Sequence, residues 1–263
     1  MEINHVKKAF LEKRVTLGSW IQLGHPGIAE IMANAGYEWI VADCEHTDID
    51  VAGFTSLARA MHGRGAIPLV RVRENDTLSI RQMLDAGARG VIVPLVNNAE
   101  EARKAVNAVK YPPEGIRGFA FSRANDYGAK FSDYVSKANE DTLVLVMIES
   151  KEAVQNIDSI LSVEGIDGVF MGPYDLSGSY GVIGETSHPK LLSAYKSIVK
   201  AAEKAGKTAG IHVVIPTREA IYRAINDGFR FIALGMDDVY LDQSLRDALK
   251  TAEEALAIYK EGK

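Results

Sequence analysis

The chain alternates amphipathic stretches of helical length with short apolar runs, and the junction between the two repeats. In each repeat a helical stretch ends near a glycine, one or two residues follow, and an apolar run begins, as in ANAGYEWIVAD, DAGARGVIVP, VEGIDGVFMG and NDGFRFIALG. Glycine suits the position after a helix because, without a Cβ, it adopts positive φ at little cost. The apolar runs do not alternate with polar residues, which is typical of strands covered on both faces. The pattern therefore predicts parallel strands joined by helices.

Eight such strand–helix pairs can be counted. The predicted strands lie near 17–23, 38–43, 66–72, 90–95, 142–149, 168–172, 208–212 and 229–234, and the predicted helices near 27–35, 51–61, 76–86, 99–109, 151–161, 189–205, 217–227 and 241–261. Eight pairs in 263 residues favour a single (β/α)₈ TIM-barrel domain over residues 1–263, because that fold typically takes about 250 residues. Residues 4–12 are a further predicted helix, which would cap the barrel bottom.

Residues 111–140 interrupt the alternation of predicted strands and helices between the fourth and fifth strands. The segment contains PPEGIRGFAFSRANDYGAK and is predicted to be a long irregular excursion. Loops of this length in a compact domain are usually functional. We expect this one to lie over the C-terminal face of the barrel, where Ser122 and Arg123 could meet a substrate.

Charge and cysteine content narrow the class of protein. The net charge of −5 argues against a nucleic-acid-binding surface, and no run is apolar enough to suggest a membrane partner. The one cysteine, Cys44, excludes a disulfide within the chain, and the charged N-terminus does not look like a signal peptide. We expect a cytoplasmic protein.

Polar residues stand at the ends of the predicted strands, which otherwise consist of small and aliphatic residues. In barrel enzymes this end carries the active site. In chain order the polar set is Trp20 and Gln22, then Asp43, Glu45 and His46, then Arg71, Glu149, Asp175 and His212.

Glu149 and Asp175 are the candidate metal ligands. They end or follow two successive strands, so that both would point into one cleft. Carboxylate oxygens suit Mg²⁺ or Mn²⁺ better than a thiolate-preferring metal. Each could instead be a helix cap or a salt-bridge partner. The turn MGPYDLSGSYG, which holds Asp175, would offer backbone N–H groups at a helix start to a small carboxylate or a phosphate.

His46 is the candidate general acid/base, since an imidazole can accept and donate a proton near neutral pH. Asp43 is close enough in sequence to orient it, and Asp85 could do so across the cleft. Arg71 would stabilise a developing enolate or bind a carbonyl oxygen; Arg73 could point the same way or be solvated. His46 could also be an ordinary loop histidine, and Glu45 is given no role.

Three other chemistries find little support. A Schiff-base aldolase needs a lysine at a strand end, and the predicted strands contain none. Cys44 lies between Asp43 and Glu45, which disfavour a thiolate, so we interpret it as a packing residue. The chain has no Walker sequence and no GxGxxG after its first strand, which argues against a nucleotide.

Several runs together resemble one family. ADCEH, PLVRV, LDAGARGVIVP, PPEGIRGFAFSRANDYG, MIES and MGPYDLSGSYG, with HP at 188–189, are similar to runs of the HpcH/HpaI aldolase/citrate lyase family, over about 17–241. The resemblance implies a phosphoenolpyruvate/pyruvate-type barrel and a class II pyruvate aldolase. Its substrate would be a 4-hydroxy-2-oxo acid, such as a 2-keto-3-deoxy sugar acid or 2,4-dihydroxyhept-2-ene-1,7-dioate.

The resemblance also implies roles for individual residues. Glu149 and Asp175 would hold Mg²⁺, Mn²⁺ or another divalent metal, His46 would be catalytic with Asp43 and Asp85 in support, and Arg71 would bind pyruvate. The backbone of Gly172, Pro173, Tyr174 and Asp175 would bind the pyruvate carboxylate. Trp20 and His212 are expected to contact the substrate because of their positions at strand ends, not because of the resemblance. Homohexamers built as trimers of dimers, with the last helix (241–261) exchanged, are implied as well.

The chain departs from the family pattern at three places. Met147 stands where many members have glutamine, ADCEH replaces a commoner Asp-Gly/Thr-Glu-His run, and His212 replaces a small or aliphatic residue. These departures leave the aldehyde, and the reaction, open. The alternatives are an oxaloacetate decarboxylase, a citrate-lyase-like acyl-CoA lyase for which the loop 117–123 would supply a basic rim, and a barrel that binds a carboxylate or acts as an assembly subunit without catalysis.

Overall fold

The computed structural model describes residues 4–261, and its centre is a closed barrel of eight parallel strands. The strands are β1 (Thr16–Ile21), β2 (Trp39–Asp43), β3 (Ile67–Arg71), β4 (Gly90–Val93), β5 (Leu143–Ile148), β6 (Gly168–Met171), β7 (Thr208–Val213) and β8 (Phe231–Met236). They pair in chain order, and β8 pairs with β1 to close the barrel. The predicted TIM barrel is confirmed, with strand ends shifted by a few residues.

Helices surround the barrel. They are α1 (His5–Leu11), α2 (Pro26–Asn34), α3 (Val51–Met61), α4 (Thr77–Ala86), α5 (Ala99–Val109), α6 (Phe131–Asp141), α7 (Lys151–Gln155), α8 (Ile157–Leu161), α9 (Pro173–Ser179), α10 (Pro189–Lys204), α11 (Arg218–Asn226) and α12 (Asp237–Glu261). The helix predicted at 151–161 is thus two short helices that meet at Asn156, and the last helix starts at Asp237 rather than at 241. No helix in the described part of the chain combines the length and apolar character that crossing a membrane requires.

Two apolar cores hold the barrel together. One lies between the strands and the surrounding helices, and the other fills the barrel interior with residues such as Trp39, Phe170 and Phe231. The predicted capping helix is confirmed: Val6 and Phe10 of α1 join the interior core, and the Phe10 and Phe231 rings meet edge to face at 5.4 Å. The bottom is therefore closed, which leaves the C-terminal end of the barrel for a site.

The prediction for residues 111–140 was wrong about position, because the segment lies at the bottom of the barrel. Residues 112–122 contain no helix or strand, as predicted, whereas the rest forms a 3₁₀ segment (Arg123–Gly128) and α6. Arg123 donates hydrogen bonds to Ala58 O and Ala86 O, near the C-terminal ends of α3 and α4. A cavity of about 800 Å³ at this end is lined by Arg59, His62 and Arg123, among others. It lies at the opposite end of the barrel from the strand ends that carry the polar set.

Candidate active site

Asp43 and Arg71 lie side by side because they are register partners at the ends of β2 and β3. Arg71 Nε donates to Asp43 Oδ1 (2.9 Å) and Nη2 donates to Oδ2 (2.7 Å), so the pair is bidentate. Asp43 is fully buried, and it also accepts from Gln22 Nε2 at 3.0 Å. Burial by itself would raise the pKa of Asp43, but the hydrogen bonds and charge of Arg71 hold it below its usual value. The guanidinium is therefore fixed in orientation and charge.

Glu45 also belongs to this cluster, although the sequence analysis gave it no role. Its Oε2 lies 3.1 Å from Arg71 Nη1 and 3.8 Å from His46 Nε2, at ion-pair distance but without hydrogen-bond geometry. Burial raises the pKa of Glu45, while the charge of Arg71 opposes the rise. A sequence signal existed, since Glu45 stands between two candidate residues in the same turn.

His46 is placed at the mouth, with 62% of its side chain exposed. The predicted pairing with Asp43 takes another form. The His46 backbone N–H donates to Asp43 Oδ1 at 3.4 Å, while the imidazole is next to Glu45. Asp43 thus shapes the turn that carries His46, and Glu45 is the carboxylate nearest to the ring.

Glu149 directly follows β5 and is only 6% exposed. Its Oε2 accepts the backbone N–H of Leu95 at 2.9 Å. Burial raises the pKa of Glu149 to about 7; the Leu95 N–H and the charge of Arg71 lower it, whereas the charges of Glu45 and Asp175 raise it further. Asp175, exposed in the first turn of α9, is therefore close enough to Glu149 for their charges to interact.

These carboxylates fit a hard divalent cation. Burial and the nearby carboxylates of Glu45 and Asp175 together leave the anionic form of Glu149 disfavoured, and a cation would relieve this; oxygen donors are the ligands that Mg²⁺ and Mn²⁺ prefer. Within residues 4–261, no three His, Cys, Asp or Glu side chains converge as a ready metal cage. Glu149 and Asp175 would therefore supply two ligands, and water and substrate would supply the others.

The turn before Asp175 offers fewer amides than the sequence analysis expected. The Gly172 N–H donates to Ile148 O at 3.3 Å, and Pro173 has no N–H. The amides of Tyr174 and Asp175 remain, in the first turn of α9, where a helix has no carbonyl to pair with them. Gly172 is required for another reason: a Cβ there would lie 2.8 Å from Glu149 Cγ and Oε1.

Trp20 and His212 form the inner wall of the site. Their rings stack at 5.6 Å, and the Arg71 guanidinium lies 4.7 Å from the Trp20 ring. His212 Nε2 lies 2.8 Å from Gly235 O, and burial lowers the pKa of His212 to about 4. Because a carbonyl only accepts, the neutral ring carries its proton on Nε2, which leaves the Nδ1 lone pair. Met147 Sδ is 4.0 Å from Arg71 Nη1.

Asp85 is the predicted site residue that the structure does not bring to this cluster. It lies near the C-terminal end of α4, at the bottom of the barrel, where its carboxylate pairs with Arg117 Nη2 at 2.8 Å. It therefore does not support His46 within one chain.

Comparison with known proteins now identifies the family. The family model described as HpcH/HpaI aldolase/citrate lyase matches residues 16–242 of this chain. The chain belongs to the HpcH/HpaI aldolase/citrate lyase family. A hydroxypyruvate/pyruvate aldolase of Roseobacter denitrificans is 37% identical, over 99% of this chain and 98% of that protein. A 5-keto-4-deoxy-D-glucarate aldolase of Escherichia coli is 38% identical, over 89% and 91%. A solved family structure from Burkholderia cenocepacia superposes with a TM-score of 0.91 at 31% identity, covering 95% of this chain and 99% of the other.

Membership in the HpcH/HpaI family, with aldolase relatives along nearly the whole chain, makes this protein a class II aldolase, that is, a carbon–carbon lyase. The cluster at the C-terminal end of its barrel is where that chemistry is expected.

Proposed function

We propose that this aldolase cleaves a 4-hydroxy-2-oxo acid of the 2-keto-3-deoxy sugar acid type to pyruvate and an aldehyde, and that it catalyses the reverse condensation. The observation that carries the proposal is the carboxylate of Glu149, which is buried at the end of β5 and lies within electrostatic reach of Asp175 and Arg71. The names of the two curated relatives, both aldolases of oxo acids, support the same substrate class.

Glu149 and Asp175 would hold Mg²⁺ or Mn²⁺. Bound there, a divalent cation would polarise the 2-oxo group of the substrate and stabilise negative charge on that oxygen. The backbone N–H groups of Tyr174 and Asp175, in the first turn of α9, would donate hydrogen bonds to the carboxylate of the pyruvate part. Asp43 binds Nε and Nη2 of Arg71, so Nη1, which lies near Glu45 and Met147 Sδ, is the nitrogen that would donate to a substrate oxygen.

His46 would move the proton. In cleavage, the imidazole accepts the proton of the C4 hydroxyl, the C3–C4 bond breaks, and its electron pair stays on the pyruvate part as an enolate. C4 leaves as the aldehyde, and C3 then takes up a proton to give pyruvate. The exposed ring can exchange its proton with water, and Glu45, 3.8 Å away, would stabilise the imidazolium.

The aldehyde end would be lined by Trp20 and His212. Trp20 Nε1 is buried without a hydrogen-bond partner, and His212 offers the Nδ1 lone pair. A pocket with one free donor and one free acceptor favours an aldehyde that carries hydroxyl groups over an apolar one.

We also propose that the chain assembles through α12. Of the described residues of this helix, only Asp237 is buried, while Leu241, Leu245 and Leu249 form a stripe that is 50–67% exposed. Such a stripe at four-residue spacing is typical of a packed helix face. Exchange of α12 between subunits of a hexamer would cover this stripe. Assembly would also be needed for Asp85 to support His46, because only the Asp85 of another subunit could reach it. We also propose that the protein is located in the cytoplasm.

Neither the coenzyme A lyase nor the decarboxylase alternative gains support. A coenzyme A lyase needs a basic rim for phosphates, but Arg117 and Arg123 lie at the bottom of the barrel. Oxaloacetate decarboxylation would use the same enolate, and substrate tests distinguish it from cleavage.

The experiment is deuterium exchange into the methyl group of pyruvate, followed by NMR on metal-stripped protein with and without Mg²⁺ or Mn²⁺. We expect metal-dependent exchange, together with release of pyruvate from 2-keto-3-deoxy sugar acids faster than from oxaloacetate. The Glu149→Ala and Asp175→Ala variants should lose both reactions. Full cleavage activity in either variant, or faster turnover of oxaloacetate, would contradict the proposal.

A further inference from the structure

Leu95, just after β4, has a left-handed backbone conformation with φ = 54°. Residues other than glycine, asparagine and aspartate adopt this conformation only at a cost, because Cβ crowds the backbone. The Leu95 side chain is 62% exposed, so burial of the leucine does not repay the cost. Such strain persists only where surrounding contacts impose it.

The strained conformation presents the Leu95 N–H to Glu149. The N–H donates to Glu149 Oε2 at 2.9 Å, while the backbone of Gly172 packs against Cγ and Oε1 of the same side chain. The side chain of Glu149 is thereby held between a backbone donor on one loop and a backbone surface on the next.

The side chain of Asn97 links this loop to the residue after Glu149. Asn97 Nδ2 donates to Leu95 O at 3.1 Å, and Asn97 Oδ1 accepts from the hydroxyl of Ser150. The backbone of Asn97 is held as well: its N–H donates to Glu101 Oε2 (2.6 Å), and its carbonyl accepts from Asn156 Nδ2 (2.8 Å). The side-chain amide of Asn97 therefore connects the loop that donates to Glu149 with the side chain of the residue that follows Glu149.

We propose that Asn97 is a positioning residue for the metal site: it holds Leu95 in the left-handed conformation, so that the Leu95 N–H orients Glu149 for the cation. The inference rests on the proposed metal role of Glu149. Groups that orient a metal ligand typically change metal affinity or activity by about 10- to 100-fold when removed.

The test compares Asn97→Ala with Asn98→Ala. Asn98 is the adjacent asparagine and caps α5 by accepting the N–H of Glu101 at 2.9 Å, so its loss should cost similar local stability. Mn²⁺ affinity is measured on metal-stripped protein without substrate, by electron paramagnetic resonance of free Mn²⁺. We expect Asn97→Ala to bind Mn²⁺ about 10-fold or more weakly, and Asn98→Ala to stay within about twofold of the unmodified protein.

A second substitution tests the route through Leu95. Glycine adopts positive φ without steric cost. The double variant Asn97→Ala/Leu95→Gly should therefore bind Mn²⁺ at least about threefold more tightly than Asn97→Ala alone. If Asn97→Ala does not fold, Asn97→Ser replaces it, since a single hydroxyl is too short to bridge Leu95 O and Ser150.

The outcomes separate the two proposals. If the unmodified protein does not bind Mn²⁺, the proposed metal role fails and takes this inference with it. If the unmodified protein binds Mn²⁺ and Asn97→Ala binds equally well, the metal role stands and the inference is overturned. If Asn97→Ala binds Mn²⁺ more weakly and adding Leu95→Gly does not improve the affinity, Asn97 does not act through the backbone of Leu95 and the inference is overturned.

Discussion

Replacing Glu149 by Gln should stabilise the metal-free protein while abolishing its function. The pKa of Glu149 is raised from the ordinary 4.5 to about 7, first by burial and then by the charges of Glu45 and Asp175. The folded state therefore binds this proton more tightly than the unfolded state does. The protonated Glu149 carboxyl therefore stabilises the folded state fully below pH 4.5, and this stabilisation is lost as the pH rises from 4.5 through 7. At about 1.4 kcal/mol for each pKa unit, the loss approaches about 3 kcal/mol at pH 8.

Glutamine has the shape of glutamate without its charge, and its carbonyl oxygen can still accept the Leu95 N–H. The free energy of unfolding of Glu149→Gln should thus exceed that of the unmodified protein by less than about 1 kcal/mol at pH 5 and by about 3 kcal/mol at pH 8. Urea unfolding with a chelator, at one fixed protein concentration, measures the difference. Mn²⁺ binding and aldol cleavage should be lost at both pH values. A stability difference that is the same at pH 5 and pH 8 would refute the reasoning from buried charge.

Three further substitutions test the neighbouring residues. Gly172→Ala places a Cβ 2.8 Å from Glu149 Cγ and Oε1, so Mn²⁺ affinity, measured by calorimetry, should fall at least about tenfold. Arg71→Lys keeps the charge but loses the bidentate geometry, and kcat for cleavage should fall by about 10²-fold or more in steady-state kinetics. His212→Leu removes the Nδ1 acceptor, so the ratio of kcat/KM for glycolaldehyde to that for propanal, in condensation with pyruvate, should fall about tenfold.

Each of these has a result that would contradict it. Unchanged Mn²⁺ affinity in Gly172→Ala would mean that Glu149 relaxes freely. An Arg71→Lys enzyme with full kcat would show that the guanidinium fork is not needed. An unchanged aldehyde ratio in His212→Leu would remove His212 from the acceptor pocket.

The barrel could be predicted from sequence because its strands are covered on both faces and read as continuous apolar runs. The order of the predicted elements also places residues 111–140, and it places them at the bottom of the barrel. The helix predicted at 99–109 follows β4 and returns the chain to the barrel bottom, so a segment between that helix and β5 connects helix to strand and lies at the bottom. Only strand-to-helix loops reach the C-terminal face.

The sequence predicted the positions of candidate residues at strand ends, but it did not predict features that depend on contacts between distant parts of the chain. Glu149, Asp175, Arg71 and His46 follow apolar runs, which fixes the end of the barrel where they lie. The left-handed turn at Leu95 leaves no such signal, since leucine has no preference for positive φ. The contacts of this loop join Leu95 to Glu149 and Asn97 to Ser150, residues more than 50 positions away, and local patterns do not encode such contacts.

The role of Asp43 illustrates the same limit and can be tested by a double-mutant cycle. Spacing alone suggested that Asp43 orients His46, whereas its carboxylate binds both Nε and Nη2 of Arg71. If Asp43 acts through Arg71, Asp43→Asn should lower kcat/KM for cleavage by about 10²-fold, and the double variant with Arg71→Lys should be little worse than the poorer single variant. Steady-state kinetics of the four proteins gives the coupling. If Asp43 instead acted through His46, the two losses would multiply, and the pH profile of Asp43→Asn would move while that of Arg71→Lys stayed in place.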